Sequence, residues 1–145
     1  MMTTAKIRQI LNKRGLKVTP QRAVIMDFMM RTHSHPSAEA IYEAVKDALP
    51  GLSKGTLYNV LNTLVDANIL NTVVLEPGAI RYDANVSNHH HFIDMDTGQI
   101  HDIPWDRVQN LFNAPGEGFC VADYQVNFYG VMAQNSPKRP KPEQP

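Results

Sequence analysis

Apolar residues return at intervals of three and four through residues 5–66, then fall into shorter strand-like runs, so the chain reads as helices followed by strands. Residues 5–14 place Ile7, Ile10, Leu11 and Arg14 at helical spacing, with Gly15 as a stop. Thr19-Pro20 opens a second helix, threonine as N-cap and proline in the first turn, and its apolar stripe is Val24, Ile25, Phe28 and Met29. His35-Pro36-Ser37 starts a third, predicted to bury Ile41, Ala44, Val45 and Ala48 before Leu49-Pro50-Gly51 breaks it. Ser53 caps a fourth helix running to about Asp66.

That fourth helix has two faces. Leu57, Val60, Leu61, Leu64 and Val65 form the apolar one, and Gly55, Tyr58, Asn59 and Asn62 the opposite one. Amides and a phenol on an exposed helix face suit base edges and phosphates. Residues 69–75 and 79–83 around Glu76-Pro77-Gly78 read as a hairpin, the wing beside a helix-turn-helix. Beyond it, residues 89–95 and 99–103 flank the turn Asp96-Thr97-Gly98. Residues 105–113 are expected to form a short helix. Residues 119–132 are expected to form a long strand with Tyr124, Val126 and Phe128 on one face and Gln125 and Asn127 on the other. The proline-rich tail 136–145 is expected to be disordered. The fold class is therefore α+β, with a winged helix-turn-helix over residues 1–83, a second domain over 84–135 and a tail.

Charge sharpens this picture. The whole chain is neutral, but residues 1–83 hold ten Lys/Arg against seven Asp/Glu, while the remainder holds four against seven. Seven basic residues fall within the first 31 positions, opposed only by Asp27, so the first half is the one suited to a polyanion. Many small helical domains show a polar outer face without touching DNA, but helix order, basic bias and hairpin together favour DNA binding. Tyr58 and Asn59 are the candidates for base edges, and Arg22, Ser53, Lys54 and Thr56 for phosphates. Cys120 is the only cysteine, which excludes an intrachain disulfide and a cysteine-rich zinc site. No leader-like apolar segment opens the sequence, and the reading is a soluble cytoplasmic protein without membrane association.

The candidate chemistry lies in His89-His90-His91, with His35 upstream and Asp83 and Asp102 on either side. Strand alternation sends His89 and His91 to one face and His90 to the other, and an even hairpin loop brings Asp102 to the face of His91. Three imidazoles and two carboxylates suit Fe(II), Mn(II) or Zn(II), and give copper(I) no soft sulfur. Because His35 lies in the first domain, Asp83 at the junction and the other three in the second, one ion bound by all five would clip the domains into one orientation. A two-His, one-carboxylate iron enzyme is the competing class. Five ligands leave little room for substrate, and no nucleophile–base pair or glycine-rich cofactor loop accompanies them, so the chain does not read as an enzyme.

The segments Gly15-Leu16-Lys17-Val18-Thr19-Pro20-Gln21-Arg22, His35-Pro36-Ser37-Ala38, Leu52-Ser53-Lys54-Gly55-Thr56-Leu57-Tyr58-Asn59, Arg81-Tyr82-Asp83, His89-His90-His91 and Gly98-Gln99-Ile100-His101-Asp102 resemble the ferric uptake regulator (Fur) superfamily of bacterial metal-responsive repressors. The resemblance spans most of residues 10–132. It implies an N-terminal winged helix, a small C-terminal α/β dimerisation domain, and a homodimer on palindromic double-stranded operator DNA. The ligand types are most similar to the peroxide-sensing (PerR) branch, whose three His and two Asp fall on His35, Asp83, His89, His91 and Asp102. That similarity implies Fe(II) or Mn(II) at a regulatory site, with oxidation of His35 or His91 to 2-oxo-histidine by peroxide. Two departures stand beside it. The usual Cys-x-x-Cys positions hold Asp94 and Thr97, so no structural zinc is expected. The chain also resembles the cysteine-poor, iron- or haem-responsive (Irr) branch, which makes a haem- or iron-status regulator without ligand oxidation the alternative. His101 is an extra donor expected to face solvent.

Overall fold

The computed structural model describes residues 4–75 and 78–135, and by internal packing it divides between Val86 and Ser87. The tail 136–145 and two residues of the hairpin turn, Glu76 and Pro77, lie outside the described residues. The first unit holds four helices, α1 (Thr4–Lys13), α2 (Pro20–Arg31), α3 (Ala38–Val45) and α4 (Lys54–Asp66), followed by strands β1 (Asn71–Leu75) and β2 (Ala79–Asp83). Local chemistry accounts for the starts of α2, α3 and α4. The Thr19 hydroxyl accepts from the Arg22 amide at 3.2 Å, with Pro20 contributing its fixed φ where no amide donor is needed. Ser37 Oγ caps α3 through Ala40 N, and Ser53 Oγ caps α4 through Thr56 N, both at 3.1 Å. Gly15, at φ +74, turns the chain out of α1 in the left-handed conformation glycine adopts without penalty.

The helices bury one face each around Leu11, Ile25, Met29, Ile41, Leu57, Leu61 and Leu64. The register of that burial differs from the sequence expectation in two places. In α2 the fully buried residues are Ile25, Met26 and Met29, while Val24 and Phe28 are only partly covered. In α3, Ala44 is exposed, and Ala48 lies past the helix end, also exposed. Leu49 is buried in the turn instead, because an alanine covers too little area to dictate which way a helix rolls. Strands β1 and β2 pair antiparallel, Val73 opposite Arg81, as the wing hairpin requires.

The second unit is a three-stranded sheet in the order β4-β3-β5, with β3 (His89–Asp94) central, β4 (Ile100–Pro104) antiparallel to it and β5 (Asn127–Gly130) parallel. The two expectations for residues 105–132 need correction. Only a single 3₁₀ turn, Trp105–Arg107, forms where a helix was expected. Side chains take the amides a helix would use: Leu111 N donates to the Tyr124 hydroxyl at 3.1 Å and Phe112 N to Asn110 Oδ1 at 2.9 Å. The long strand shrinks to four residues. Val126 N donates to the ring Nδ1 of His90 at 2.9 Å, and Gln125 Nε2 donates to the His89 carbonyl, so side chains end the β3–β5 ladder just before Asn127. Among the described residues no helix is long and apolar enough to cross a membrane.

The turn that carries Asp94 and Thr97 is closed by hydrogen bonds. Asp94 Oδ1 accepts from Asp96 N at 2.9 Å, the Asp94 carbonyl accepts from Gly98 N at 2.7 Å, and Thr97 Oγ1 accepts from Gln99 N at 3.1 Å. Both positions thus act as side-chain turn caps. Cys120 is exposed and unpaired.

Candidate metal centre and nucleic-acid interface

In the first unit, His35 occupies the left-handed region, at φ +52, an uncommon conformation for a non-glycine residue. The segment around it is stitched to β2. Tyr82 N donates to the Pro36 carbonyl at 2.9 Å, Ser37 bridges to Arg81, and Arg81 Nη1 donates to the His35 carbonyl at 3.2 Å. This lateral attachment sets the imidazole against the end of β2, where His35 Nε2 lies 3.2 Å from Asp83 Oδ2. The other carboxylate oxygen, Oδ1, accepts from Asn85 N at 2.9 Å and fixes the rotamer. Both residues are buried. The sequence named both donors. It carried no sign of the strained backbone or of the Arg81 tie, whose one trace was its place in the Arg-Tyr-Asp run.

In the second unit, His91 pairs directly across from Asp102, with His89 two residues back on the same face. His89 Nε2 and His91 Nε2 are 3.0 Å apart, and Asp102 Oδ1 lies 3.5 Å from the first and 3.6 Å from the second. An ion about 2.1 Å from each donor would separate neighbouring donors by about 3.0–3.4 Å, so the three atoms already stand near the spacing of a coordination shell. His89 Nδ1 lies 2.6 Å from the Ser87 carbonyl, an acceptor only, so that nitrogen carries the proton and Nε2 presents its lone pair. The donor set (imidazole nitrogen and carboxylate oxygen, no sulfur) fits Fe(II), Mn(II) or Zn(II).

His90 points to the opposite face and does different work. Its ring stacks on Trp105 (centroids 4.6 Å apart, 16° between planes) and lies near Tyr124, which packs edge-on against Phe112. Burial, and then the neighbouring imidazoles of His89 and His91, push its pKa down and keep it neutral. With Nδ1 accepting from Val126, this histidine is a structural part of the aromatic cluster. His101 is only partly exposed, close to the Phe92 ring (centroids 6.2 Å apart), which corrects the expectation of a solvent-facing side chain.

On α4, Gly55, Tyr58, Asn59 and Asn62 all lie on the exposed face, Tyr58 with 46% of its surface accessible. Ser53 Oγ is committed to the cap and to Thr56 Oγ1 at 2.9 Å, while the Lys54 ammonium rests 5.8 Å from the centre of the Tyr42 ring. Arg22 Nη1 donates to the Lys17 carbonyl at 2.8 Å, which pins the guanidinium at the loop leading into α2 and leaves its other donors in play. The six candidate nucleic-acid residues thus sit at the starts of α2 and α4 or on the outer face of α4.

Residues 13–129 match the ferric uptake regulator family. The chain is 35% identical over 127 residues to the peroxide-responsive repressor PerR of Staphylococcus epidermidis, covering 86% of this chain and 84% of that one. Its fold is similar to the crystal structure of the Vibrio cholerae ferric uptake regulator (TM-score 0.69, 25% identity, 86% of this chain and 98% of that one). It is also similar to the Helicobacter pylori ferric uptake regulator (TM-score 0.73, 21% identity, 94% and 97%).

Proposed function

The chain belongs to the ferric uptake regulator family, whose members are metal-dependent transcriptional regulators rather than enzymes and bind operator DNA as dimers, and on that premise we propose that it is a peroxide- or iron-responsive repressor. In this reading His35, Asp83, His89, His91 and Asp102 hold one divalent ion, Fe(II) or Mn(II), with Zn(II) able to substitute in vitro. The observation that carries it is the convergence of His89 Nε2 and His91 Nε2 to 3.0 Å, with Asp102 beside them and the His89 tautomer already set for ligation. Three donors on one sheet leave a five-coordinate ion two short, and in this proposal the prearranged His35–Asp83 pair is the source of those two.

An ion shared in this way joins residues of both units, so its occupancy selects one arrangement of the DNA-reading heads in a homodimer. By linkage, operator DNA then tightens metal binding by the same factor that the metal tightens operator binding. A ferrous ion in the site would supply reducing equivalents to hydrogen peroxide. Resemblance to the peroxide-sensing repressors singles out His35 and His91 as the imidazoles oxidised, and oxidation of either would remove a donor and loosen the clip. Likeness to the Staphylococcus epidermidis repressor supports the peroxide side of this reading, and so does aspartate rather than glutamate at position 102.

The deciding experiment measures operator affinity of the purified protein with Fe(II), Mn(II) or Zn(II), before and after peroxide, with peptide mass spectrometry on the same samples. Fe(II) with peroxide is expected to weaken operator binding and add one oxygen at His35 or His91, whereas Mn(II)- and Zn(II)-loaded protein stays unmodified. Loss of binding without any added oxygen, coupled to a saturable haem Soret shift, would instead favour the haem-responsive alternative.

On the DNA, Tyr58 and Asn59 read base edges while Arg22, Ser53, Lys54 and Thr56 hold the backbone. Gly55 leaves room for a phosphate at the start of α4: a side chain added there would meet only Ser53 Oγ, at 4.0 Å. Lys54→Ala should weaken all operator sequences alike and reduce the slope of log affinity against log salt by about one. A slope equal to wild type would remove Lys54 from the interface.

A further inference from the structure

Asn127 opens the short strand β5 and pairs in parallel register with His91, so its side chain lies on the face that carries His89, His91 and Asp102. His91 is thus flanked on that face by Asp102 from β4 and by Asn127 from β5. Asparagine is disfavoured in strands, yet it stands here within the four residues that pair with β3. Its amide oxygen is buried and meets no hydrogen-bond donor among the described residues. A buried amide oxygen is costly to leave without a donor, so an acceptor held beside a ligand histidine calls for a partner in the working state.

Metal-ligating histidines donate their second ring N–H to an oxygen acceptor, which fixes the tautomer and the ring's aim. His89 has such an acceptor in the Ser87 carbonyl. His91 Nε2 faces His89 and Asp102, on the β4 side of the strand, and Nδ1 is the second nitrogen of its ring. We propose that Asn127 is the positioning residue for His91: its Oδ1 accepts the His91 Nδ1–H and holds the ring with Nε2 aimed at the bound ion. The inference rests on His91 being a ligand, and it adds a residue that the resemblance to metal-responsive repressors did not supply.

The test titrates Mn(II) into wild type, Asn127→Leu, Asn127→Asp and His91→Ala, with thermal unfolding of each metal-free protein alongside. Asn127→Leu removes the acceptor at similar size and should weaken Mn(II) by about 10–100-fold with the metal-free unfolding temperature unchanged or raised. Asn127→Asp restores an acceptor oxygen and should return affinity to within about threefold of wild type, or tighter, a rescue that a merely structural role would not give. Wild-type Mn(II) binding by the Asn127→Leu variant, with binding lost in His91→Ala, would overturn the role of Asn127 alone. Undiminished binding by His91→Ala would overturn the metal-site reading itself. Should Asn127→Leu not fold, nitrogen-15 histidine spectra of the Zn(II)-loaded wild type decide: a slowly exchanging Nδ1 proton on His91 is expected, and a rapidly exchanging one refutes the proposal.

Discussion

His91→Ala is expected to abolish metal-dependent operator binding, with Mn(II) affinity falling by more than about 100-fold, beyond the loss seen when only an outer-shell partner is removed. His91 Nε2 is 3.0 Å from His89 and 3.6 Å from Asp102, so deleting the ring takes away one of the three converging donors. What remains on this sheet, one imidazole and a partly exposed carboxylate, leaves the ion a donor short even with the His35–Asp83 pair that the proposal adds. The strand itself should survive, because its ladder is made by backbone groups such as the His91 amide, which donates to the Val126 carbonyl at 3.1 Å. Isothermal titration with Mn(II), operator anisotropy with and without metal, and a metal-free thermal melt separate these effects. A melt near wild type with no metal response is the expected combination, and a wild-type Mn(II) isotherm would remove His91 from the ligand set.

The second large effect concerns the scaffold. Leu61→Ala should cost the first unit about 3 kcal/mol, and lower its unfolding temperature by about 10–20 °C. Leu61 is fully buried in α4, among Leu57, Leu64 and the apolar faces of the other helices, so truncation leaves a cavity that close-packed neighbours fill only in part. Its neighbour provides the contrast. Asn62 is exposed on the opposite face of the same helix, and Asn62→Ala should change stability by no more than about 0.5 kcal/mol. Urea unfolding of the two variants checks the pair. Equal stabilities would mean that the apolar face of α4 had been assigned to the wrong side, and with it the exposed face offered to DNA.

Much of this molecule is legible in one dimension because the relevant physics is local. Thr19, Ser37 and Ser53 announce three helix starts through caps that reach only three residues ahead. The period of Leu57, Leu61 and Leu64 fixes the inner face of α4 and so leaves Tyr58 and Asn59 outside. Strand alternation alone puts His89 and His91 on one side and His90 on the other, and the hairpin places Asp102 opposite His91. Donor identity is also a property of sequence: no cysteine is available beyond an exposed Cys120, which narrows the metals before any fold is known.

Tertiary structure decided what depends on partners distant in sequence. The alternating run at residues 119–132 has the pattern of a strand, but a strand needs backbone partners, and the ladder stops where the His90 ring takes the Val126 amide. Residues 105–113 have a helical spacing of apolar groups, yet Trp105 and Phe112 are drawn into an aromatic cluster with His90 and Tyr124, and side-chain acceptors claim the amides. Likewise, His35 meets Asp83 only because Arg81 and Tyr82 bind the backbone of a segment some 46 positions earlier in a left-handed conformation. The sequence determined which groups this protein has to offer and which face each takes within its own element, since both follow from short-range periodicity. Which atoms stand within ligand or hydrogen-bond distance, and that Asn127 comes to lie beside His91, was settled by long-range packing, because pairing free energy is realised only when separated segments meet.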